Sequence, residues 1–122
     1  MSLCVLGIDP GFASVGYALV EFSPKAAPVA MGVIRTQKAN AKRKVRASDD
    51  NMERAKEITR ELSALITQHA VKVICAETMS FPRNAGAAAK MAMCWGVIAA
   101  LTEVHTVSYT HLPSPRDATL SR

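Results

Sequence analysis

The stretch Leu3-Cys4-Val5-Leu6-Gly7-Ile8-Asp9-Pro10-Gly11 decides the fold. Residues 3–8 are a short apolar run rich in β-forming side chains, and Asp-Pro-Gly stops it. The run reads as a buried strand closed by a turn, with the carboxylate of Asp9 delivered at its end. A charge beside a core is costly unless it is paired or bound to a cation. The arrangement recurs: residues 71–76 are apolar but for Lys72 and stop at Glu77. If the two strands are parallel neighbours, Asp9 and Glu77 emerge side by side at one sheet edge, where ligands of open α/β sheets gather. Like charges held there repel, and a divalent cation resolves the repulsion. Oxygen-only ligation favours Mg2+ or Mn2+. Taken singly, each acid also reads as a strand cap or as an acceptor for a nearby backbone donor.

Outward from this stretch, residues 14–22 alternate imperfectly and read as a second strand, hairpin-paired to the first. Residues 23–28 hold two prolines and read as a loop; residues 29–35 read as a third strand weakened by Gly32. Residues 37–48 are polar and basic and read as a loop. Asp49 and Asp50 are N-cap candidates, and Glu53 completes a capping-box spacing from Asp50. Met52, Ala55, Ile58, Leu62, Leu65 and Ile66 then recur at helical spacing, with Arg54, Glu57, Arg60 and Glu61 on the other side, to about His69. Residues 80–84 read as a turn, and residues 85–104 as an Ala- and Met-rich helix with periodicity through Ala89, Met93, Val97 and Leu101.

The chain has 122 residues, enough for one domain with a single core. About half are hydrophobic (49%), which excludes a disordered chain. The net charge of +5 suits a polyanionic partner. Lys38, Lys42, Arg43, Lys44 and Arg46 cluster with no acid among them, as a solvated basic loop or as a phosphate-contacting arm. Cys4, Cys75 and Cys94 sit in apolar stretches without CxxC spacing, which points to buried thiols in a reducing compartment. Asp9 and Pro10 interrupt the N-terminal apolar run too early for a signal peptide, and the run at residues 91–101 is short for a bilayer span. The expectation is a soluble cytoplasmic protein with no membrane partner. His69, His105 and His111 show no ligand spacing, and His69 suits a helix C-terminus. Trp95, Met91 and Met93 read as helix packing or as a dimer face.

The segment Leu6-Gly7-Ile8-Asp9-Pro10-Gly11, followed by Gly16-Tyr17-Ala18, resembles the opening of the RuvC family of Holliday-junction resolvases, nucleases with an RNase H-like fold. The resemblance continues in Gly32-Val33-Ile34-Arg35-Thr36, in Ala76-Glu77, and in Phe81, Asn84, Ala85, Lys90 and Gly96. It implies an α/β fold: an RNase H-like mixed sheet whose first three strands are antiparallel, followed by a helix-linked parallel strand. It further implies Asp9 and Glu77 as catalytic metal ligands, Gly11 as the residue that allows a tight turn beside the metal, and Mg2+ or Mn2+ as cofactor. Phe81 would stack on a base near the junction centre, or plug a hydrophobic gap beneath Pro82. Lys90, and more weakly Arg83, would contact phosphate or lie on a solvated surface. The implied activity is metal-dependent cleavage of four-way (Holliday) DNA junctions in recombination and repair, by a twofold homodimer that reads the shape of branched DNA.

The family places further acidic residues near its C-terminus. From Val107 the text has no strong period and two prolines, and its only acid is Asp117. The expected division is therefore residues 1–106 as an incomplete RNase H-like nuclease domain and residues 107–122 as a non-native or disordered tail, with C-terminal elements missing and the chain inactive as given. Without Arg116, Arg122 and Asp117 the charge balance is still positive. Two alternatives come from other classes. Gly-Ile-Asp-Pro-Gly also resembles the first phosphate loop of actin-like sugar kinases, so the chain could be a phosphate-binding fragment. It could also be a junction-binding module without catalysis.

Overall fold

The computed structural model of the protein describes residues 2–37, 46–77 and 83–112. Its elements are β1 (Leu3–Asp9), β2 (Ser14–Phe22), β3 (Ala26–Arg35), α1 (Ala47–Gln68), β4 (Val73–Glu77), α2 (Ala85–Val104) and β5 (Ser108–Leu112). They form one five-stranded sheet in the order β3-β2-β1-β4-β5. β1 and β2 pair antiparallel, as do β2 and β3, while β4 runs parallel to both β1 and β5. The mixed sheet with an antiparallel first half is the one expected from the sequence.

Strand alternation decides the faces. Leu6, Ile8, Val15, Leu19, Ile34, Ile74 and Ala76 are buried. They lie opposite one another in register, as Leu6↔Leu19, Val15↔Ile34 and Ile8↔Ala76. Against them pack Ile58, Leu62 and Ile66 of α1 and Cys94, Ile98 and Leu101 of α2, completing a single core. The other face of the sheet exposes Leu3, Phe22, Met31 and Val33. Ser63 Oγ and His105 Nε2 lie 2.7 Å apart and tie the C-terminal part of α1 to the end of α2.

Several expectations need correction. β3 starts at Ala26, inside the expected loop. Pro28 is tolerated because β3 is an edge strand and the register shifts opposite Leu19 and Val20, where a bulge needs no continuous ladder. α1 starts at Ala47 with Arg46 at the N-cap and no side-chain cap, so the capping box at Asp50 does not form. Asp49 and Asp50 instead sit in the first turn, where the helix dipole favours acids. Met52, expected in the core, is exposed, whereas Arg54, expected on the polar side, is buried. In α2 the fully buried residues are Cys94, Ile98 and Leu101; of the periodicity read in the sequence, Leu101 is buried, Met93 and Val97 are half-buried against the core and Ala89 is exposed. That helix is apolar on all sides, long and apolar enough to cross a membrane by length and composition, so its pattern does not select a face.

The largest correction is at residue 107. Val107 is buried in the core and Ser108–Leu112 forms β5, so the boundary expected at 106 falls inside the folded unit. Both helices end the same way. Ala70 and Thr106 adopt positive φ (50° and 53°). The following Val71 and Val107 are buried, and their N–H groups donate back to Ile66 and Thr102 carbonyls, each at 3.0 Å. Each valine then leads into a parallel strand. The recurrence of His69-Ala70-Val71 as His105-Thr106-Val107 is the sequence signal that marks β5. Residues 113–122 lie outside the described residues.

Leu62 is fully buried between the helices and the sheet. Leu62→Ala is expected to destabilise the fold by roughly 2–5 kcal/mol in urea unfolding. Met52→Ala, on the same helix but exposed, should stay within about 0.5 kcal/mol of wild type.

Candidate metal centre

Asp9 is the last residue of β1 and Glu77 the last of β4. The parallel register runs Gly7↔Cys75 and Ile8↔Ala76, so the next step along both strands brings Asp9 and Glu77 level. Ile8 and Ala76 both face the core. Their successors therefore face the opposite way, and both carboxylates are exposed on one face at one end of the sheet. They line the same open cleft, of about 350 Å³, together with Gly7, Gly16, Ala18 and Cys75. Small side chains form its floor. A Cβ on Gly16, opposite Asp9 in the β1–β2 register, would lie 3.4 Å from Asp9 Cβ and 3.9 Å from its Oδ2. Glycine at that position leaves room beside the carboxylate.

The donor set is two carboxylates reachable from solvent, with space between the strands' ends. That chemistry fits a hard divalent cation such as Mg2+ or Mn2+. Among the described residues, no cluster of three or more His, Cys, Asp or Glu joins them. Any further oxygen donors would come from water, from substrate or from residues outside the described set.

The turn after Asp9 is held on several sides. Phe12 is buried, and Thr36 reaches the turn twice: its Oγ1 donates to the Phe12 carbonyl at 2.6 Å and its N–H to the Ala13 carbonyl at 2.9 Å. Arg54 Nε donates to Thr36 Oγ1 at 2.9 Å, and its guanidinium carbon lies 4.9 Å from the Phe12 ring centroid. Burial pushes the Cys94 thiol up from its ordinary value, and the Gly11 N–H, donating to the sulfur, opposes part of that. Gly11 has no positive φ; it is required because a Cβ there would collide with the Ser14 carbonyl oxygen. Phe12, Thr36 and Arg54 were not singled out as site residues from the sequence. Arg54 could have been, because it stands four residues before Ile58 and eight before Leu62, on the apolar stripe itself.

Arg83 is exposed just before α2, and Lys90 is half-buried within it. Neither lines the cleft of Asp9 and Glu77. Asn84 caps α2, its Oδ1 accepting from the Ala87 N–H at 3.0 Å. Trp95 packs edge-on against Tyr109 of β5, with centroids 5.9 Å apart, which makes it a packing residue. Phe81, Lys42, Arg43 and Lys44 lie outside the described residues.

The family model for crossover junction endodeoxyribonuclease RuvC matches residues 5–116. A RuvC of Methylococcus capsulatus is 31% identical over 99 residues, covering 76% of this chain and 54% of its own. A RuvC of Pelodictyon phaeoclathratiforme is 32% identical over 100 residues, covering 81% of this chain and 48% of its own. Among solved structures, T. thermophilus RuvC in complex with a Holliday junction substrate superposes with a TM-score of 0.75 at 19% identity, over 93% of this chain and 66% of that one. The chain spans about half the length of the curated relatives it matches.

The two glycines of opposite role separate by substitution. Gly11→Ala should cost about 1–3 kcal/mol in urea unfolding, because backbone must move to admit the methyl group. Gly96→Ala, in the middle of α2 with nothing within 4 Å of the new Cβ, should stabilise by about 0.5–1 kcal/mol.

Proposed function

Since the chain belongs to the RuvC family, we propose that it is the core of a metal-dependent endonuclease acting on four-way DNA junctions in recombination and repair. The observation that carries this reading is the convergence of Asp9 and Glu77 on one face at the ends of neighbouring parallel strands. Asp9 and Glu77 would hold Mg2+ or Mn2+. When bound, the cation supplies Lewis acidity that offsets charge developing on the phosphate during hydrolysis. By holding the cation, the two carboxylates would set where the scissile phosphate sits, and the small floor of Gly7, Gly16 and Ala18 leaves it room.

Branched DNA as substrate is supported by the fold shared with a RuvC seen on a Holliday junction. The net charge of +5 gives the chain an attraction to the phosphate backbone. Lys42, Arg43 and Lys44, with Lys90 and Arg83, are the proposed phosphate contacts, and Phe81 the proposed stacking residue. A twofold homodimer is part of the same reading. It is supported by α2, which exposes Ala85, Ala89, Ala92, Gly96 and Ala99 at alternating spacings of four and three, a surface on which a second helix can approach closely. A cytoplasmic location with the DNA follows from that role.

Among the described residues the ligand set is two carboxylates with no third acid beside them, so the reading is tested first on junction binding. The test is a labelled four-way junction with Mg2+ or Mn2+, against duplex DNA of equal length. Tighter binding to the junction than to the duplex is expected. Any metal-dependent cleavage of the junction should be abolished by Asp9→Asn. Equal affinity for duplex and junction contradicts the substrate assignment. Cleavage that survives Asp9→Asn contradicts the reading of the ligand set.

The basic loop makes a separate expectation. Replacing Lys42, Arg43 and Lys44 with Ala should flatten the slope of log K against log salt by about 2–3, near 0.9 per lost phosphate contact. An unchanged slope in the folded variant would show that the loop is a solvated surface.

A further inference from the structure

Resting on the metal-centre reading above, we propose that Arg54 is a positioning residue for that centre: through Thr36 and Phe12 it holds the turn that follows Asp9, and so fixes the carboxylate for the cation. Asp9 closes β1, and beyond it the backbone leaves the sheet. The β1–β2 pairing at Asp9↔Gly16 closes this connection at its base, and further holds on residues 10–13 come from other elements.

Thr36, just after β3, supplies the first hold. Its hydroxyl has one proton, spent on the Phe12 carbonyl at 2.6 Å. The same oxygen accepts from Arg54 Nε at 2.9 Å. The hydrogen bonds thus run in one direction, from guanidinium to hydroxyl to turn carbonyl, and a charged donor at the head strengthens each link. Arg54 supplies the second hold directly, its guanidinium 4.9 Å from the centroid of the buried Phe12 ring. Asp50, one turn earlier in α1, balances the charge at 3.7 Å.

Arg54 is only 6% exposed, on a stripe otherwise made of Ile58, Leu62 and Ile66. A hydrocarbon there would pack at lower desolvation cost, and burying a cation is expensive unless its donors are used. Here Nε is used on Thr36, which in turn holds the loop adjoining Asp9, and NH1 pairs with Asp50. Lysine cannot replace it, because a single ammonium does not present the planar fork that reaches Thr36 and covers Phe12 together. Metal ligands depend on such support, since a carboxylate displaced by a fraction of an ångström coordinates poorly.

The experiment is Mn2+ titration followed by electron paramagnetic resonance, well below the melting temperature of every protein compared. The set is wild type, Asp9→Asn, Arg54→Met, Arg54→Lys, Thr36→Val and Leu62→Ala. Arg54→Met should weaken Mn2+ binding on the order of 10-fold. Arg54→Lys should fail to restore it, and Thr36→Val should weaken it in the same direction. Leu62→Ala, destabilised but remote from the turn, should keep wild-type affinity. If Arg54→Met does not fold, Thr36→Val carries the comparison alone. Wild-type affinity in folded Arg54→Met or Thr36→Val overturns the proposal while leaving the metal centre intact. So does a loss in Leu62→Ala as large as theirs, which would reduce Arg54 to general stability. Mn2+ binding that is absent from wild type, or indifferent to Asp9→Asn, overturns the metal centre itself and this proposal with it.

Discussion

The parallel pairing of β1 with β4 is the constraint on which the rest of the structure depends. Backbone hydrogen bonds set Ile8 level with Ala76, and the shared core turns both side chains inward. This register sends Asp9 and Glu77 out together on the opposite face. The core and the candidate site are thus two sides of one register. A slip of one residue in β4 would bury Glu77 and expose Ala76, at the cost of an unpaired charge in the core. Selection for a buried core therefore also keeps the two acids level.

The helices serve this pairing from behind. α1 links the antiparallel half of the sheet to β4, and α2 links β4 to β5. Each ends in a non-glycine residue with positive φ and a buried valine that redirects the chain into a strand. The two connections are physical copies of one device, and they leave β4 paired on both sides. Residues 10–13 are then held by Thr36, just after β3, and by Arg54 of α1.

Much of this was legible in the sequence, and the misses have physical causes. The stop at Asp9-Pro10-Gly11 and the stop at Glu77 each mark a strand end by composition alone, so the acids and their level placement could be read. β5 could not be read from its own five residues, because a short edge strand is defined by the open edge of β4 as much as by its own pattern. β3 was cut short because Pro28 signals a loop unless the strand is known to lie at an edge with a bulge. Arg54 was assigned to solvent by its charge, although its spacing from Ile58 and Leu62 puts it on the buried stripe. Its partners Thr36 and Phe12 lie 18 and 42 residues away in sequence, and only the tertiary structure brings them together. In α2, apolar residues all round leave the buried side to be chosen by the sheet.

The account stands on two carboxylates sharing one cation at the ends of β1 and β4. X-ray diffraction at the manganese absorption edge, from crystals of this chain grown with Mn2+, tests that most directly. The account predicts an anomalous peak within coordinating distance of both Asp9 and Glu77. A peak bound by only one of them, or manganese found elsewhere while the two carboxylates point apart, would contradict it.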